Sequence, residues 1–333
     1  MFKELTSLLN EVWKFIKSDF HLSSYLFTFF IVGVAVYFNY SWGFYSKVLL
    51  NSYFDGTSVW IFPVFYVIVY FSVAIPVVIL RKDVAVLRTP GFYFKSLFII
   101  VIYGLSIGYY GYHQWQFPSL FDDESKFVLR LVSQLKSLVF YFVPLVLLKL
   151  IVDRKTKGLY GLSLNTSYFK GYFSFFLLLL PFLILASYSA DFQNAYPQFK
   201  PWLYEGVLGL ETWESTALFE ISYVIDFVMT ELLFRGALVI GMVGLMGRGA
   251  VLPMVVLYVV IHFGKPPVET ISSLFGGYIL GALVYQTRHI WGGVIVHVFI
   301  ALTMEIMGLF QYYLPDKPRF RNRKKSLFLC AKS

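Results

Sequence analysis

The sequence predicts an all-α, polytopic transmembrane helical bundle of about 8–9 spans, each an apolar run of about 20 residues. Three observations lead there: an excess of apolar residues, a shortage of charge, and long uncharged runs separated by basic loops. Of 333 residues, 58% are hydrophobic and only 14% charged, and the mean hydropathy is +0.68. A soluble domain carries about 25% charged residues, so this chain cannot cover a water-facing surface. Aromatic residues make up 20%; Tyr and Trp at span ends suit the membrane–water interface.

The expected spans follow in order. Residues 22–40, 56–80 and 96–112 are the first three, 136–152 a weaker fourth and 171–190 the fifth. The stretch 213–246 is apolar yet carries Glu214, Glu220, Asp226, Glu231 and Arg235; 251–263, 271–287 and 290–313 complete the set. Basic residues cluster before the first run (Lys3, Lys14, Lys17), after the second (Arg81, Lys82, Arg88, Lys95) and after the fourth (Arg154, Lys155, Lys157, Lys170). The loop 191–211 is acidic. Positive charge marks the cytoplasmic side, so the N-terminus and basic loops are expected inside and the acidic loop outside. The tail residues Lys317, Arg319, Arg321, Arg323, Lys324 and Lys325 should also face the cytoplasm, yet nine crossings would place them outside. Either one segment does not cross or 213–246 bends. The sequence leaves both open.

The net charge of +9 sits in loops and the tail, and no basic, aromatic module lies outside the spans, so nucleic acid is not an expected partner; membrane lipid is. Cys330 is the single cysteine, which excludes an internal disulfide. About twenty mixed residues precede the first apolar run without a small-residue cleavage site, so no cleavable signal peptide is expected. Ionisable groups are nearly absent from the early spans and concentrated in the late ones. The expected organisation is a scaffold half (1–190), a chemical half (191–314) and a basic tail (315–333).

Ionisable groups at membrane depth cost about 2.5–3.5 kcal/mol each on insertion scales, so they tend to be paired and functional. Glu231 and Arg235 stand four apart, on one helix face, where they can pair. Gly264, Pro266 and Pro267 end a helix just after His262, an imidazole placed to face a cavity. Glu269 falls in the first turn of the next helix, either as a dipole-complementing residue or as a second carboxylate near His262. His297 lies on an apolar helix with Ala301 and Glu305 on the same face. Two His on separate helices beside a Glu–Arg pair supply a general base and hydrogen-bond donors, the parts needed to split an acyl bond with water.

Glu231-Leu232-Leu233-Phe234-Arg235-Gly236, then His262, then Gly276-Gly277-Tyr278-Ile279-Leu280-Gly281, then His297 resembles the CPBP family over about residues 213–305. These are the CAAX-prenyl-protease and bacteriocin-processing intramembrane peptidases, also called the Abi family. The family pattern is Glu-Glu-x-x-x-Arg, Phe-x-x-x-His and His-x-x-x-Asn/Asp. Glu231, Arg235, His262 and His297 match it; Tyr258 stands for the Phe, and Thr230 and Ala301 depart from it. The resemblance implies that the first motif's leading Glu and the second motif's His activate water, while the third motif stabilises the oxyanion. The departure at Thr230 removes the expected base, so Glu231 or Glu269 would have to act, with Thr230, Tyr258, Lys265 and Glu305 as supporting residues. It also implies an intramembrane endopeptidase of glutamic or metallo type, acting on a peptide or protein presented at a multi-pass cell membrane, the bacterial inner membrane. If a divalent metal such as zinc takes part, Glu231, His262 and His297 are the expected ligands. Two other classes stay open: a degenerate member serving as a bacteriocin-immunity, scaffold or partner-binding protein, and a proton-coupled transporter, whose expected inverted repeat is not apparent. The terminal Cys330-Ala331-Lys332-Ser333 reads like a prenylation box, but Lys332 occupies a position that should be aliphatic.

Overall fold

A computed structural model describes residues 2–154, 158–163 and 168–314. The basic tail 315–333, its terminal tetrapeptide, Lys155 and Lys157 lie outside the described residues. Within them the fold is all helical, without a strand. Helix α1 (Phe2–Asp19) precedes the bundle; α2 (Leu22–Trp42), α3 (Ser58–Leu80) and α4 (Pro90–Gly108) form its first part. The fourth expected span starts earlier than the sequence suggested. Amphipathic α5 (Asp122–Ser137) runs through a π turn into α6 (Val143–Ile151), giving one 30-residue stretch. Then follow α7 (Phe169–Ser187), short α8 (Ala190–Ala195) and α9 (Thr212–Glu231). After α9 come α10 (Val243–Met246), α11 (Val251–Val260), α12 (Pro267–Thr287) and α13 (Trp291–Tyr313).

Among the described residues, eight helical runs are long and apolar enough to cross a membrane. Large apolar side chains face outward, Phe30 at 66% exposure and Phe182 at 67%, as a lipid-facing surface requires and a water-facing one would not tolerate. The protein is a multi-pass membrane protein.

The longest run, Thr212–Val260, has 49 residues. Straight, it would measure about 74 Å, more than twice the hydrocarbon core, so it has to fold back. It does so near Gly247, whose φ of 55° and ψ of −132° suit a residue without a Cβ. Beside this turn, Arg248 Nη1 donates to the Ser18 carbonyl at 3.2 Å; after the return leg, the Phe263 carbonyl accepts from Asn39 Nδ2 at 3.2 Å, at the far end of α2. The reversal therefore lies just beyond 213–246, between two runs that the sequence already separates, and is not a bend within that stretch. Because α11 is a return leg, α13 ends at the opposite end of the bundle from α1. There Trp202, in the acidic loop, stacks on Tyr312 at 3.6 Å.

The other end is basic. Arg81 pairs with buried Asp19 at 2.6 Å, and Arg154, Arg248 and Arg288 lie in its loops. Lys95, counted with the loop charges from sequence, is instead buried: it pairs with Asp153 at 2.8 Å and donates to the Gly241 carbonyl. One core joins the two halves of the sequence, drawing Tyr70 and Ile99 together with Phe234 and Val255.

Candidate active site

The site is assembled where α9, α11 and α13 meet. α9 gives way to a π turn at Leu232–Ala237, an irregularity frequent at functional sites, and this turn carries Arg235. Glu231, the last residue of α9, and Arg235 are each 0% exposed. Glu231 Oε1 lies 2.9 Å from Arg235 Nη1 and 3.1 Å from His297 Nδ1, so one carboxylate oxygen joins two motifs. The close approach of α13 depends on Gly293, where a Cβ would overlap Glu231 Oε2. The adjacent Gly292 meets the Tyr172 ring in the same way, so this glycine pair lets two surfaces close on α13.

Tyr258, in place of the family Phe, presents its ring to Arg235, whose guanidinium carbon stands 3.9 Å from the ring centroid. The same ring lies edge-on to His262 at 4.8 Å and to His297 at 6.3 Å between centroids. Phe227 packs on His297 at 4.3 Å. His262 sits in the turn after α11, as the Gly264–Pro267 breakers predict. Its carbonyl accepts from Thr270 Oγ1 at 2.6 Å, and Tyr40 donates to the Lys265 carbonyl at 2.9 Å, which pins the turn to α2 and α12.

The partners of the two imidazoles fix their tautomers. His262 Nδ1 lies 2.7 Å from the Tyr258 carbonyl, which can only accept, so Nδ1 carries the proton. His297 Nδ1 faces a carboxylate and likewise donates. Each ring is left with an Nε2 lone pair. Neither Nε2 has a hydrogen-bond partner among the described residues, and neither is among the sealed polar atoms of the interior.

Residues 212–303 match the family model described as type II CAAX prenyl endopeptidase Rce1-like. Over this region the chain is similar to the CAAX protease family. No curated protein and no solved structure matches the chain. The Rce1-like region contains Thr230, Glu231, Arg235, Tyr258, His262, Lys265, Glu269 and His297, and stops just short of Glu305.

Within and beside the Rce1-like region the structure separates residues that the sequence grouped. Glu269 forms no hydrogen bond with His262 among the described residues. Both its oxygens accept from Tyr196 Oη, at 3.2 and 3.1 Å, and Lys265 Nζ reaches the same phenol at 3.3 Å. Burial, with the neighbouring Glu269 charge, holds the Tyr196 phenol far above its ordinary pKa. Glu305 fastens the 198–199 strap, accepting from the backbone N–H of Gln198 at 2.8 Å and of Phe199 at 3.2 Å. Thr230 shares a face of α9 with Tyr223 and Phe227 and remains partly exposed. Ala301 is buried. Tyr196, Phe227 and Gly293 escaped the sequence reading; for Gly293 the Gly292–Gly293 pair inside an apolar helix was the available signal.

The expected three-residue metal set is not formed. Among the described residues no three His, Cys, Asp or Glu side chains converge as ligands. The reason is Glu231: its Oε1 is engaged by Arg235 and His297, and its Oε2 is closed off against Gly293. His262 and His297 alone offer free nitrogens, fewer protein ligands than a closed or catalytic zinc site uses.

Proposed function

We propose that this protein is an intramembrane peptidase that hydrolyses a peptide bond with His-activated water, and that His297 is the base. The observation that carries this reading is the chain Arg235–Glu231–His297, with its 2.9 and 3.1 Å contacts, in which Glu231 and Arg235 are at zero exposure and His297 is partly exposed. A carboxylate on Nδ1 holds the imidazole in the tautomer whose Nε2 accepts a proton, and it stabilises the imidazolium that forms. The family pattern would make the third-motif His an oxyanion donor. Here its Nε2 carries a lone pair, so it accepts first.

A water between the two Nε2 atoms gives its proton to His297 and is oriented by His262. The hydroxide forms the new C–O bond at the peptide carbonyl. The imidazolium then returns the proton to the departing amine as the C–N bond breaks. Thr230, on the same face of α9 as Phe227 and partly exposed, would hydrogen-bond the water or the substrate. The proposed setting is a bacterial inner membrane, and the substrate is a peptide or protein presented there.

The test is cleavage in proteoliposomes of membrane-tethered peptides, prenylated and unprenylated, with products read by mass spectrometry. Wild type should release fragments, while His297→Ala and His262→Ala should each lower the rate by roughly 10²–10⁴-fold. Equal cleavage by all three refutes the reading. The absence of both Thr230→Glu-type chemistry and an Asn or Asp at Ala301 favours a second reading, a partner-binding relative without hydrolysis, which predicts no fragments from any of them.

A further inference from the structure

Away from the motif helices, α5 records where wet surface gives way to lipid-facing surface. Asp122, Asp123, Lys126 and Arg130 are exposed along it, whereas residues 138–148 contain no charge. Lys136 is the last cation before that apolar run. At this end of the bundle large aromatic side chains stand outward, Phe54 at 85% exposure and Trp60 at 71%, with Tyr110, Trp115 and Phe121 also exposed. Such a belt belongs at the level of lipid headgroups.

A cleft of about 230 Å³ opens there between the turn after α2 and the ends of α4 and α5. Tyr53, Phe54, Ile107, Tyr110 and Tyr112 wall it, and Lys136 supplies charge. The Lys136 ammonium lies 5.3 Å from the Tyr112 ring centroid and has no hydrogen-bond or ion-pair acceptor among the described residues. Asp226, on α9, acts on it only through space. Arg130 adds positive character at the Tyr112 rim, where His113 stacks on Tyr110 at 3.8 Å.

A half-buried cation without an anion in contact, beside an apolar wall at headgroup level, matches a ligand with a phosphate at one end and hydrocarbon at the other. We propose that this cleft binds an anionic phospholipid, with its phosphate on Lys136 and an acyl chain along Tyr53, Phe54 and Ile107. A free phosphate gains nothing from five apolar or aromatic walls. A choline headgroup would bring a second positive charge towards Lys136 and Arg130, and the rim offers no carboxylate to receive it. The proposal is independent of the peptidase reading, since it uses none of the motif residues.

The experiment is lipid titration of the full-length protein in detergent, read by native mass spectrometry and by the thermal unfolding midpoint. Dioleoyl phosphatidylglycerol, dioleoyl phosphatidylcholine and inorganic phosphate are the three probes. Phosphatidylglycerol should stay bound and raise the midpoint, phosphatidylcholine should do so much less, and inorganic phosphate should neither bind nor compete. Lys136→Gln should weaken phosphatidylglycerol roughly tenfold, the worth of one charge-assisted contact. Phe54→Ala alters an exposed side chain that the fold does not need, and should weaken it as well. Equal binding of the two lipids overturns the proposal, as does competition by inorganic phosphate. Unchanged phosphatidylglycerol affinity in Phe54→Ala also overturns it, even if Lys136→Gln fails to fold.

Discussion

Glu231→Gln preserves the size of the side chain and removes its charge, leaving the Arg235 guanidinium at 0% exposure without an anion. Removing one partner of a buried ion pair costs about 3–5 kcal/mol. Two features place this case near the lower figure. The Gln amide oxygen can still face Arg235 Nη1, and the guanidinium keeps its 3.9 Å stack on Tyr258. The expected loss is therefore about 3 kcal/mol, a factor of roughly 100 in the folding equilibrium. Glu231→Gln/Arg235→Met removes both charges and should recover a large part of it, because no isolated cation remains. The assay is equilibrium unfolding in mixed detergent micelles with increasing sodium dodecyl sulfate, followed by the fluorescence of the seven tryptophans. A Glu231→Gln loss of only about 0.5 kcal/mol, the scale of a surface substitution, would refute the buried-pair reasoning. A double variant no more stable than the single one would refute it too.

Other expectations follow from the same geometry. Gly293→Ala drives a methyl into Glu231 Oε2 and should cost about 1–3 kcal/mol and, under the peptidase reading, abolish cleavage, whereas Gly276→Ala, in open space, should do neither; comparing the two by unfolding and product analysis checks this. Thr230→Glu restores the family's leading carboxylate, and under the peptidase reading it should raise the single-turnover rate at least about tenfold. An unchanged rate would argue that His297 already supplies the whole base function. His289, between α12 and α13, is 2% exposed, with both ring nitrogens unpartnered, and burial lowers its pKa from 6.5. The native state keeps it neutral, so the unfolded state binds more protons in acid. The stability it contributes is present above pH 6.5 and lost as the pH falls below it. The unfolding midpoint should drop from pH 7.5 to 5.5, and drop less in His289→Gln.

Much of the fold was legible because lipid imposes length and uniform apolarity on a spanning helix. Residues 56–80 match α3 within two residues at its start, since Gly56 and the basic Arg81 bracket it chemically. Boundaries failed where charge is buried or where polar helix continues into apolar helix. Lys95 reads as a loop cation in the sequence, which sets the start of α4 six residues late; its partner Asp153 is 58 residues away in sequence. The start of α5 was missed because Asp122–Ser137 is amphipathic, a pattern hydropathy passes over. In the site, the i,i+4 spacing announced the Glu231–Arg235 pair, but nothing local announced that His297, 66 residues on, shares the same oxygen. Glu269 illustrates the converse. Its closeness to His262 in sequence suggested a shared role, whereas Tyr196, from a loop 73 residues earlier, claims both its oxygens.

The contact at Gly293 ties chemistry to the mechanics of the bilayer. The α13 backbone closes directly on the Glu231 carboxylate, so α13 has no side chain of its own at Gly293 to take up a change in the spacing of α9 and α13. Thinner or thicker membranes tilt their helices differently. Any tilt that parts these two helices lengthens the 3.1 Å bond from His297 to Glu231 directly. Under the peptidase reading, helix tilt is thereby coupled to the basicity of His297, and turnover should track acyl-chain length even when the substrate does not change.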